Sequence, residues 1–197
     1  MSSRARSTSS KTKRVAIASM FAALALIFSY IEVLIPLPVP IPGVKIGIAN
    51  LVIIIALYRL NFKYAFTINM VRIVIAGLLF SGVFGMIYSF AGGILSIIVM
   101  YLLYRTKKFS MVGVSMAGGV MHNLGQLLTA CLIMETPSLM SYFPVLLFSG
   151  LVSGIVIGIV AYFVEKRLPK EVKYSWKLKE FGKSIGAVQT TLENSPE

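Results

Sequence analysis

Five residues carry the side chains that could do chemistry on a solute: Asn50, Arg72, His122, Asn123 and Gln126. A guanidinium presents a planar fork of donors suited to anionic or strongly hydrogen-bonding groups. The amides offer donors and acceptors together, and an imidazole offers either according to its tautomer. All five lie in apolar stretches. Arg72 is the most demanding, because the run 64–80 is long enough to cross a bilayer and holds no other charge. A guanidinium in hydrocarbon costs several kcal/mol and cannot be neutralised by deprotonation. It needs a carboxylate, a ring of carbonyls, a water-filled cavity or an anionic ligand. Glu32 and Glu135, near outer helix ends, are the carboxylates placed to pair with it, and a solute is the other solution.

Depth supports grouping these residues. Counted from the outer helix ends, Asn50 lies roughly 10 Å in, Arg72 and Gln126 roughly 12 Å, and Asn123 and His122 roughly 16 to 18 Å. His122 and Gln126 share a helix face, with Asn123 beside it. Such a slab suits a solute site opening to the outside. The plainer alternative is a hydrogen-bond network that holds a bundle together, a role in which Asn50, Asn69 or Gln126 taken singly is more common. Catalysis finds no support: the chain has one histidine and seven acidic residues, every one of them glutamate. A prenyl-diphosphate synthase needs aspartate-rich Mg²⁺ sites, and this chain has no aspartate. No metal-ligand spacing, nucleophile elbow or phosphate-binding loop occurs, so neither enzyme activity nor a cofactor is expected.

The elements that must position these side chains are transmembrane helices. Hydrophobic residues make up 57% of the 197 and charged residues 13%, which marks an integral membrane protein of one polytopic domain. The lone cysteine, Cys131, excludes an intramolecular disulfide. The net charge of +12 is no nucleic-acid footprint, because its distribution follows topology. Arg4, Arg6, Lys11, Lys13 and Arg14 precede the first apolar run, Arg59 and Lys63 flank the second gap, and Arg105, Lys107 and Lys108 the fourth. Most of the rest follow the last run. That alternation predicts an even number of spans with both termini in the cytoplasm.

An all-α bundle of six transmembrane helices follows, over about 13–31, 45–58, 64–80, 85–104, 110–134 and 139–164. Residues 1–12 read as a disordered cytoplasmic lead, 13–165 as the membrane domain, and 166–197 as a basic cytoplasmic or interfacial tail. Pro36, Pro38, Pro40 and Pro42 force an extended strap after the first helix, either a lid or a rigid connector. Gly150, Gly154 and Gly158 make a smooth face for helix packing. Ala18 and Ala22 repeat the small-residue spacing on the first helix, where internal packing and docking of an outside partner are both open.

The segments PGVKIGIANLVIIIALY (42–58), VRIVIAGLLFSG (71–82), SFAGGILSIIVMYLLYR (89–105) and FSMVGVSMAGGVMHNLGQLL (109–128) resemble the Gx transporter family, whose members are often labelled heptaprenyl diphosphate synthase component I. The likeness spans roughly residues 13–165, with AGGVMHNLGQ its most specific piece. That family is similar to the substrate-binding S components of energy-coupling factor (ECF) transporters, six-helix proteins of the bacterial plasma membrane. The resemblance implies capture of a vitamin-, flavin- or isoprenoid-related solute from outside, with a transmembrane T component and two ATPases as partners. It gives Ala18 and Ala22 the docking role, makes the proline strap a lid, and makes Asn50, Arg72, His122, Asn123 and Gln126 ligand contacts. An accessory membrane subunit of prenyl or quinone biosynthesis, or of flavin-linked electron transfer, is the alternative.

Overall fold

The computed structural model describes residues 2–34 and 47–168. The proline strap (36–42), the expected start of the second helix at Lys45 and most of the C-terminal tail lie outside the described residues. Those described are all-helical and include six α-helices: α1 (Ser2–Leu34), α2 (Ala49–Arg59), α3 (Phe62–Ala76), α4 (Gly82–Thr106), α5 (Met111–Ile133) and α6 (Phe143–Arg167). A π-turn, Gly77–Ser81, joins α3 to α4, and a 3₁₀ turn, Pro137–Tyr142, precedes α6. Helix α1 begins at Ser2, inside the stretch expected to be a disordered lead; no proline or glycine interrupts that run.

Four apolar segments are long enough to cross a membrane: Arg14–Leu34, Phe62–Thr106, Met111–Ile133 and Pro137–Arg167. The 45-residue segment Phe62–Thr106 would extend about 67 Å if straight, twice a hydrocarbon core. It doubles back instead. Gly82, at φ +68°, turns the chain, and a β-carbon on Gly93 of α4 would sit 2.7 Å from Ile73 and 3.1 Å from Asn69 of α3. The chain is therefore a multi-pass membrane protein built of apolar helices.

The shortest helix occupies the centre. At 11 residues α2 spans only about 16 Å, yet Ala49, Asn50, Val52 to Leu57 and Arg59 are all buried. A helix apolar on every side is stable only when surrounded, and α2 is enclosed by the rest of the bundle. Its C-terminal end is fastened by Arg59, whose Nε lies 3.2 Å from Glu165 of α6, while the guanidinium also donates to the Glu165 carbonyl and, at 2.9 Å, to that of Leu168. Its N-terminal approach is fastened by Glu32 of α1, which accepts from the backbone N–H groups of Gly47 and, at 3.2 Å, of Ile48.

Helices α4, α5 and α6 meet through glycines. A β-carbon on Gly125 would lie 2.8 Å from the Gly92 Cα across the α4–α5 contact. On α6, Gly154 and Gly158 face the α5 backbone so closely that added β-carbons would lie 2.6 Å from the Met116 Cα and 2.7 Å from the Val112 Cα. Gly150 lies against Gly119 and Val120 in the same seam. Close backbone approach of this kind replaces the hydrophobic drive that helices lack inside lipid.

Candidate functional site

Arg72 projects from α3 toward α1 and α2 and is buried. Its Nε donates to Asn69 Oδ1 at 3.1 Å, one turn back on the same helix. One terminal nitrogen reaches Ser29 Oγ of α1 at 3.4 Å, and the other reaches Asn50 Oδ1 of α2 at 3.5 Å. Asn69 is in turn anchored by donating to the Gly93 carbonyl at 3.1 Å. The charge is thus spread over neutral acceptors from three helices, and the Glu32 carboxylate, also buried, acts on it electrostatically. Glu135 is elsewhere, exposed at the turn after α5 with φ +48°.

Asn50 is the hinge between this network and a second cluster. Together with His122 and Asn123 of α5 it lines a small polar cavity between α2, α4, α5 and α6, completed by Ser115, Ser153 and Gly47. The cavity volume is about 10 Å³, the scale of a single water-sized group. Asn123 spends its Nδ2 on the Leu146 carbonyl of α6 at 2.9 Å. The Ser115 hydroxyl, Asn50 Nδ2 and Asn123 Oδ1 make no hydrogen bond among the described residues, although all three residues are buried.

The five residues grouped by depth therefore divide. Asn50, His122 and Asn123 share the cavity, Arg72 touches it only through Asn50, and Gln126 stands apart. The Gln126 side chain lies on the α4 side of α5, beside Gly92, with neither amide atom hydrogen-bonded among the described residues. The sequence reasoning missed Ser29, Ser115 and Ser153. Serines are ordinary in membrane helices and carry no charge, so only the contact of Ser29 with Arg72 and the convergence of Ser115 and Ser153 on one cavity distinguish them.

The small residues of α1 divide as well. Ala18 and Ala22 are half-buried against the core, whereas Ser19 and Ala23 beside them are exposed. Gly150, Gly154 and Gly158 lie in the α5–α6 seam, so Ser115, Gly119 and Ser153 reach the cavity from helices in backbone contact. No group of three or more His, Cys, Asp or Glu side chains suited to a metal ion occurs among the described residues.

No curated protein and no solved structure matches the chain at a significant level. The family comparison is decisive where those are silent: residues 21–164, the part that holds the helices, the Arg72 network and the polar cavity, match the family described as heptaprenyl diphosphate synthase component I, and the chain belongs to that family.

Proposed function

We propose that this protein is a membrane-embedded solute-binding subunit, similar in role to the S component of an ECF-type importer and without catalytic activity of its own. The observation that carries this reading is the polar cavity at membrane depth, where, among the described residues, Ser115, Asn50 and Asn123 hold unspent hydrogen-bonding atoms around a space that none of those residues fills. A network serving only cohesion would spend those atoms on neighbouring helices, because an unpaired buried polar group costs stability. In this reading both termini face the cytoplasm of a bacterial plasma membrane, the six helices together form the membrane bundle, and solute arrives from the outer side. Arg72 holds Asn50 in place, and the T component and ATPases drive the loaded bundle to release its solute inside.

Helix α1 would supply the docking face. The exposed pair Ser19 and Ala23 suits close approach of a partner helix better than Ala18 and Ala22, which the core already covers.

Purification in native lipid followed by mass spectrometry of bound small molecules tests the proposal. The expected result is a stoichiometric solute in the wild type that is lost in Arg72→Ala and Asn50→Leu. An empty wild-type bundle, in which Arg72→Ala only lowers stability by about 3–5 kcal/mol, would instead assign the network to cohesion. An accessory role in prenyl or quinone biosynthesis predicts co-purification with a catalytic subunit rather than with ATPases.

A further inference from the structure

The polar cavity has an apolar neighbour. A groove of about 630 Å³ runs along the outside of the bundle between α2 and α6. Its walls are Leu51 of α2 and Phe148, Val152, Val156 and Val160 of α6. Ser153 and Ile157 line both spaces, so they form the partition between the polar cavity and the groove. The groove is apolar and faces the lipid side, with Phe148, Val152 and Val156 well exposed. A water-soluble solute gains nothing by lying in such a groove, whereas a molecule already dissolved in the bilayer does.

We infer that the ligand is an uncharged amphiphile of the membrane, which enters between α2 and α6, lays its apolar body in the groove, and places one hydroxyl or carbonyl oxygen in the cavity. The inference rests on the solute-binding reading above and names the ligand's class. Three features of the pair of sites support it. The cavity is the size of one oxygen-centred group and offers the Ser115 hydroxyl, a donor on Asn50 and an acceptor on Asn123. Among the described residues its walls contain no Lys, Arg, Asp or Glu, and His122 is the one ionisable group on them, so a charged head would be desolvated without a fixed counter-charge. The nearest charges among the described residues are engaged: Arg72 with Asn69, Ser29 and Asn50, and Glu32 with the backbone of Gly47 and Ile48. The groove then accounts for the remaining bulk of the ligand, an extended chain or flat ring.

Photolabelling of the full chain in phosphatidylcholine vesicles tests this. The probes are three diazirine-bearing molecules with one chain: a long-chain primary alcohol, the corresponding fatty acid, and the corresponding hydrocarbon. The alcohol should label α2 and α6 around Leu51, Val152 and Val156, with saturation and with competition by unlabelled alcohol. Combining Ser115→Ala with Ser153→Ala should weaken its binding about tenfold. Val156→Trp, which leaves every cavity group intact and fills the groove from its lipid side, should abolish saturable labelling. Equal, non-saturable labelling by the hydrocarbon would mean bulk lipid only and would overturn the inference, as would tighter binding of the fatty acid. If the alcohol fails while a water-soluble solute co-purifies and is lost in Arg72→Ala, the amphiphile is wrong and the solute-binding reading stands. If the wild type holds neither, both fall.

Discussion

Arg72 and Gln126 are both buried polar residues, yet their surroundings assign them different energetics. Arg72 is compensated by Asn69, Ser29 and Asn50, so removing it strands acceptors on three helices. Gln126 is uncompensated: neither amide atom has a partner among the described residues, although the side chain is buried. Replacing it by an apolar group of similar shape removes a desolvation cost and no hydrogen bond. Gln126→Met should therefore stabilise the detergent-solubilised protein by about 1 kcal/mol, read from its thermal unfolding midpoint. Destabilisation instead would reveal a partner for the amide. The sequence placed both residues at a common depth, since depth depends only on position along a helix. It could not assign their partners, which depend on the helix face and on the neighbour that face meets.

The decisive contact among the elements is the seam between α5 and α6. Gly154 allows the two backbones to approach until an added β-carbon would lie 2.6 Å from the Met116 Cα, and a backbone cannot yield as a flexible side chain can. Gly154→Ala should cost about 1–3 kcal/mol and widen the seam that positions Ser115, Gly119 and Ser153 around the cavity. Unfolding in detergent measures the first effect; binding of the alcohol probe measures the second. The glycine spacing along α6 was legible, because a period of four marks one helix face. Its mate was not, since any helix of the bundle could lie against such a face. At the other end of α2, Arg59 was read as a loop charge marking the cytoplasmic side. Its burial against Glu165 also makes it a clasp between α2 and α6, and Arg59→Gln should destabilise the fold by about 3 kcal/mol in the same measurement.

The molecule as a whole is a sleeve of long helices around one short helix, and its outer surface is where partners must meet it. On α1 the small residues Ser19 and Ala23 are exposed, one position on from the pair that faces the core. The expected outcome is that Ala23→Leu abolishes co-purification with a T component and its ATPases while the fold survives. Ala18→Leu should instead lower the unfolding midpoint by crowding the core. Retention of the complex in Ala23→Leu would remove this face from the docking role. A step of one residue turns a helix face by roughly 100°, so spacing alone does not separate the two small-residue pairs.

What the sequence by itself determined is the one-dimensional part of the description. Runs of hydropathy identified the membrane segments, and the polar residues within them could be ranked by depth, since both quantities accumulate residue by residue along the chain. The family likeness lies in the same record. Tertiary structure decided the rest: that the shortest helix is the central one, that Asn50 joins the Arg72 network to the cavity, that Gln126 stands outside it, that Ser115 and Ser153 complete the cavity, and that Ser29 joins the Arg72 network. Each of these depends on rotation about a helix axis and on close approach between helices. Those are set by packing of surfaces distant in sequence, and they leave no mark in the local order of residues.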